Sequence, residues 1–177
     1  MSKIIRFGLS ASEIQRAIDE VNKFKADFQN KVDTYRKRIA EELAVQASMY
    51  FGNAILDDVT NGSPRKPNVT VDWNDNGSIA VVVADGEDAV WCEFGAGVYH
   101  NGSVGSSPHP KGNDLGFTIG SYGKGYGKKQ IWGYYTDPDS KTGLVLTHGT
   151  PASMPMYNAA QDVLRRSVEI AREVWRS

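Results

Sequence analysis

The 177-residue chain has a single cysteine, Cys92. An intramolecular disulfide framework is therefore excluded, and a reducing compartment is the simplest reading. No apolar run approaches the roughly 20 residues that span a bilayer. The opening Met1-Ser2-Lys3-Ile4-Ile5-Arg6-Phe7-Gly8 lacks the uninterrupted apolar core of a secretory signal. Neither sign of charge is in excess: 20 Lys and Arg oppose 21 Asp and Glu, for a net charge of −1. That balance speaks against a general nucleic-acid or membrane-surface binder and leaves room only for a local patch. The chain reads as soluble, made in the cytoplasm, and as one α+β domain over residues 1–177.

Glycine and proline are absent from Ser10 until Gly52. Across that gap Ile14, Ile18, Val21, Phe24, Phe28, Val32, Tyr35, Ile39, Leu43, Ala47, Tyr50 and Ala54 recur at the helical period of about 3.6. Ser10 and Glu13 have capping-box spacing, with the carboxylate expected to return to the cap's own N–H. The pattern predicts a helix over 10–56. An unbroken helix of that length measures about 70 Å, more than a small domain's diameter. Either it breaks near Gln29-Asn30, or its first half projects and places Ile14, Ile18, Val21 and Phe24 against another subunit.

Strand signals follow. Val69, Val71 and Trp73 alternate with polar residues. Asp75-Asn76-Gly77 predicts a type I′ turn. Ile79 to Ala84 is continuously apolar, as in a strand covered on both faces. Ala89 to Phe94 reads as a third strand, giving a three-strand antiparallel meander over 68–94. Residues 95–127 hold ten glycines and little periodicity. A loop this long is usually functional or disordered; it is expected to be mobile in the free subunit and ordered by a neighbour. Return strands are expected over 128–147, around Trp132 and from Leu144 to Thr147. A C-terminal helix is expected over 153–175, packed on the sheet. Ser153 is its N-cap, Pro155 lies in its first turn, and its inner stripe is Ala160, Leu164, Ser167, Ala171 and Val174.

No catalytic or cofactor device emerges. Gly127-Lys128 has Tyr122 and Lys129 where a phosphate loop needs Gly and Ser or Thr. His100, His109 and His148 match no zinc spacing and read as isolated surface histidines. Cys92, mid-strand beside Trp91, reads as a small buried thiol rather than a nucleophile. Glu93 is expected to accept backbone N–H groups of the glycine turn that follows it. Lys111, Lys124, Lys128 and Lys129 are possible contacts to DNA or to an acidic partner. The chain is not expected to be an enzyme, and no cofactor or metal is expected.

Two motifs carry a family resemblance. Glu93-Phe94-Gly95-x-Gly97, a later aromatic strand at Trp132, and Gly149-Thr150-Pro151-Ala152 with Pro155 opening a helix resemble the gene-product-ten-like minor structural proteins of long-tailed bacteriophages. These neck, or tail-completion, proteins act at the head–tail junction. The resemblance covers the order of elements from about Ala11 to Val174. It departs in the long glycine-rich loop and in Ser63-Pro64-Arg65, where that family often has a proline–aspartate–threonine–glycine turn. It implies a virion subunit of a hexameric neck ring around the DNA channel, assembled in the host cytoplasm. Its partners are connector or stopper and tail-terminator proteins, with DNA passing through unread and no membrane involved. A tail terminator or other connector subunit is the neighbouring alternative. A cytoplasmic nucleic-acid-binding module, with affinity falling steeply with salt, is the alternative from another class.

Overall fold

A computed structural model describes residues 4–54, 67–86, 88–99, 107–117 and 129–176. The fold is α+β, with a long N-terminal helix, two small antiparallel sheets and a packed C-terminal helix. Helix α1 runs unbroken from Ala11 to Asn53, about 64 Å. It does not break at Gln29-Asn30, where Thr34 donates its hydroxyl to the Asn30 carbonyl at 2.8 Å, a side-chain bond made on an intact helix. Ser10 caps the helix by accepting from the Glu13 N–H at 3.4 Å. The Glu13 carboxylate takes the Ser10 hydroxyl at 2.6 Å, not the cap's N–H.

The C-terminal helix, named α3 below, spans Pro155–Arg176 and packs antiparallel on α1. Its start lies by Tyr50, whose hydroxyl donates to Asp162 at 2.5 Å. Arg166 then pairs with Glu42, and Arg38 with Glu173 at 2.6 Å. At the end, Trp175 meets Tyr35 and Phe28 edge-on at 5.9 and 6.2 Å. The seam is built from Ala40, Ala47 and Phe51 against Ala159, Val163, Ile170 and Val174. Small alanines let the helices approach, and burying Ile170 or Val174 is worth about 1.5–3 kcal/mol each. The expected inner stripe is corrected here: Ala160 and Leu164 are exposed, and Val174 alone of that set is fully buried. Helix α3 carries two rows at helical spacing, and the row holding Ile170 faces the core.

The Tyr50–Asp162 bond carries a pH signature. The hydrogen bond from Tyr50 holds the Asp162 carboxyl below the usual carboxylate range, and the same bond pushes the Tyr50 hydroxyl up. A lowered carboxyl stabilises the fold above its unfolded pKa, and that gain is lost as pH falls through the folded value. A raised hydroxyl stabilises it below its unfolded pKa, and that gain is lost as pH rises through the folded value. Tyr50→Phe should therefore lower the melting temperature slightly at neutral pH and by less at strongly acid pH, where Asp162 is protonated. Equal shifts at both pH values would contradict the bond.

The first hairpin pairs β1 (Asn68–Trp73) with β2 (Ala80–Asp85), Trp73 opposite Ala80, and lies against α1. Its loop is not type I′. Gly77 has positive φ but Asn76 does not, and the Gly77 N–H bonds the Asn74 carbonyl at 2.9 Å. The Asn74 side chain accepts from Ile79 at 2.9 Å and holds a wider loop. Arg36 pins that loop to α1 through the Gly77 carbonyl at 2.8 Å. Val81 is 53% exposed, so β2 is not covered on both faces as expected.

The expected third strand is a short helix, α2 (Ala89–Phe94). A short apolar run cannot be told from a helical turn by periodicity alone, and Gly95, at φ 78, stops it. The 68–94 meander is therefore one hairpin followed by a helix. The return strands β3 (Trp132–Asp137) and β4 (Thr142–Thr147) form a second, separate hairpin. Its turn is held by Asp137, which accepts from the Asp139 and Ser140 N–H groups.

Candidate functional site: the joined glycine motifs

The two sequence motifs meet in space. Ala96 and Thr150 exchange both backbone hydrogen bonds at 2.8 Å, an isolated antiparallel bridge. Gly95 and Gly97 both take positive φ, at 78° and 60°. A Cβ at Gly95 would lie 2.9 Å from the Ala152 nitrogen, one at Gly149 2.5 Å from the Gly97 carbonyl carbon, and one at Gly97 2.3 Å from the Trp132 ring. Glycine is required at these places because neighbouring atoms occupy the space of a side chain. Trp132 closes the joint by donating its indole N–H to the Gly97 carbonyl at 2.9 Å. The Cys92 carbonyl accepts from Ser153 at 2.8 Å and Met154 at 3.2 Å, and Pro155 is buried at the start of α3.

Glu93 is the centre of this joint. It is 8% exposed. Its carboxylate accepts from the Met156 N–H at 2.8 Å and the Tyr157 N–H at 2.9 Å, two otherwise unpaired donors in the first turn of α3. A carboxylate there also complements the helix dipole. The expected partners, the N–H groups of the following glycine turn, are replaced by those of a distant helix. Glu93 thus does the work expected of Ser153, and it does so across the chain.

His109 completes the cluster. It is buried, not a surface histidine, with Nε2 3.1 Å from the Glu93 carboxylate. Its Nδ1 accepts from the Lys111 N–H at 3.0 Å, which leaves the ring proton on Nε2 for Glu93. His109 lies on Phe94 at 4.4 Å, and Phe94 stacks on Phe117 at 4.1 Å and 11°. Ser107 donates its hydroxyl to the Phe94 carbonyl at 2.6 Å. Phe117 and Gly112 close the segment on itself at 2.7 Å. Residues 107–117 are therefore seated on α2; the rest of the loop expected to be mobile, 100–106 and 118–128, lies outside the described residues. Ordering each residue costs about 1–2 kcal/mol, and the Phe94–His109–Phe117 contacts help to offset it. The signal for His109 was present in Pro108-His109-Pro110, a stiff triplet in a glycine-rich stretch.

The remaining predicted residues lie elsewhere. Lys111 is exposed and 3.6 Å from Asp114. Lys129 is exposed, and Lys124, Lys128 and His100 fall outside the described residues. His148 is exposed. Ile14, Ile18, Val21 and Phe24 are 40–51% exposed on the half of α1 that extends past α3. Among the described residues no group of three or more His, Cys, Asp or Glu is placed to hold a metal, and no helix is long and apolar enough to cross a membrane. Comparison with known proteins returns no match to any family model, curated protein or solved structure.

Proposed function

We propose that this chain is a structural subunit of the bacteriophage neck, part of a hexameric ring that joins the tail to the DNA-filled head. One observation carries the reading furthest. Helix α1 outruns its own domain and leaves Ile14, Ile18, Val21 and Phe24 in water, as suits a part that is completed by assembly. The joined glycine motifs supply a fixed frame, and the 107–117 segment is displayed from it. Stopper and tail-terminator proteins are the neighbours in this reading, and DNA passes without being read.

The test is the double change Ile18→Asp and Val21→Asp. Both side chains are about half exposed, so helical circular dichroism and melting should stay near those of the native chain. Ring formation on isolated tails, followed by electron microscopy, should be abolished. A double variant that unfolds would place the segment in the intrachain core and remove the support for the reading.

A further inference from the structure

Among the described residues two apolar helix faces lie open. The first is the projecting part of α1, where Ile14, Ile18 and Val21 are 40, 47 and 51% exposed. The second is the outer row of α3, where Leu164 and Val168 are 65 and 59% exposed beside Ala160 and Ala171. The intrachain packing of α3 uses its other row, and Leu164 and Val168 of the outer row stay largely exposed. We propose that in the free protein these two faces cover each other, α1 of one copy lying on α3 of a second copy.

Spacing and charge both fit. Ile14, Ile18 and Val21 step by four and then three, as do Leu164, Val168 and Ala171. Glu13, Glu20 and Asp27 recur every seven residues beside the first row, and Arg165 and Arg172 recur every seven beside the second. A seven-residue step nearly closes two helical turns, so each set forms a line along its helix. Setting Ile14 against Leu164 and Ile18 against Val168 brings Glu13 within two residues of Arg165, and Glu20 within two of Arg172. The acidic line lies on the opposite side of its apolar row from the arginine line on its own. Two such helices bring the lines together only when they run parallel, as flanking charges do in a parallel coiled coil.

The orientation fixes the symmetry. Within one chain α1 and α3 run antiparallel, as the Tyr50–Asp162 and Arg38–Glu173 contacts require. Parallel contact between α1 and the second copy's α3 therefore sets the two α1 helices antiparallel. The result is a two-fold pair in which both contacts form at once. Each copy contributes both faces, so the pair is held by two equivalent contacts. A two-fold pair is closed, so it must open before its α1 face can serve a ring. The pair concerns the free protein and does not rest on the neck reading.

Sedimentation of the whole chain at micromolar concentration tests this. The native chain should be a dimer. Glu20→Arg and Arg172→Glu should each weaken dimerisation at least tenfold, and the two together should restore it. Ile18→Cys mixed with Val168→Cys should give the mixed disulfide under mild oxidation, with Cys92 buried away from it. A monomeric native chain, a ring in place of a dimer, charge swaps without effect, or Ile18→Cys linking only to itself would each overturn the pair. A monomer or a dimer leaves the neck reading untouched, whereas a ring would overturn the pair and support that reading.

Discussion

Replacing Gly97 with valine is expected to lower the melting temperature by roughly 4–20 °C. Gly97 sits at φ 60°, and a Cβ there would stand 2.3 Å from the Trp132 ring. The left-handed backbone costs a branched residue about 1–2 kcal/mol, and displacing packed aromatic atoms adds about 1–3 kcal/mol. For a chain of this size each kcal/mol corresponds to about 2–4 °C. Gly95→Val should also destabilise, by more than about 1 kcal/mol, because Ala152 and Thr150 crowd it. Gly77→Ala is the control. It shares a positive φ of 66° but has open space around it, so only the backbone term applies. Thermal melting followed by circular dichroism separates the three, and an unchanged melting temperature for Gly97→Val would contradict the joint.

Glu93→Ala should destabilise by about 3–5 kcal/mol. It removes the acceptor for two α3 donors and for a buried histidine, and each buried donor left unpaired costs about 1–3 kcal/mol. Glu93→Gln keeps one acceptor oxygen and should fall between the two. The informative readout is local. Amide exchange should show the first turn of α3 and the 107–117 segment losing protection together, because one carboxylate holds both. Loss of protection in only one of them would mean that Glu93 does not couple them.

What the sequence revealed and what it hid follow one physical line. The course of α1 was legible because forty residues without glycine or proline repeat one period. The hairpin at Asn68–Asp85 and the C-terminal helix were legible for similar local reasons. Segment 89–94 was not, since six apolar residues satisfy a strand and a helical turn equally. The row of α3 that faces α1 was not legible either, because two rows one residue apart both repeat at helical spacing. The motif residues were legible as a group, and two glycines closing an apolar run predict a positive φ at one of them at least; both Gly95 and Gly97 take it. Their joining across some fifty residues, with Glu93 capping α3 in place of Ser153, depends on tertiary contact that no local spacing encodes. Pro108-His109-Pro110 marked His109 as held in a stiff turn, but its burial is set by Phe94 and Phe117 and was not legible.

The proposed role in joining finished tails to filled heads is tested most directly by electron microscopy of a lysate from a virus whose copy of this gene is disrupted. DNA-filled heads and finished tails should lie side by side and unjoined, with infectious particles restored when the purified chain is added; normal joined particles in that lysate would rule the role out.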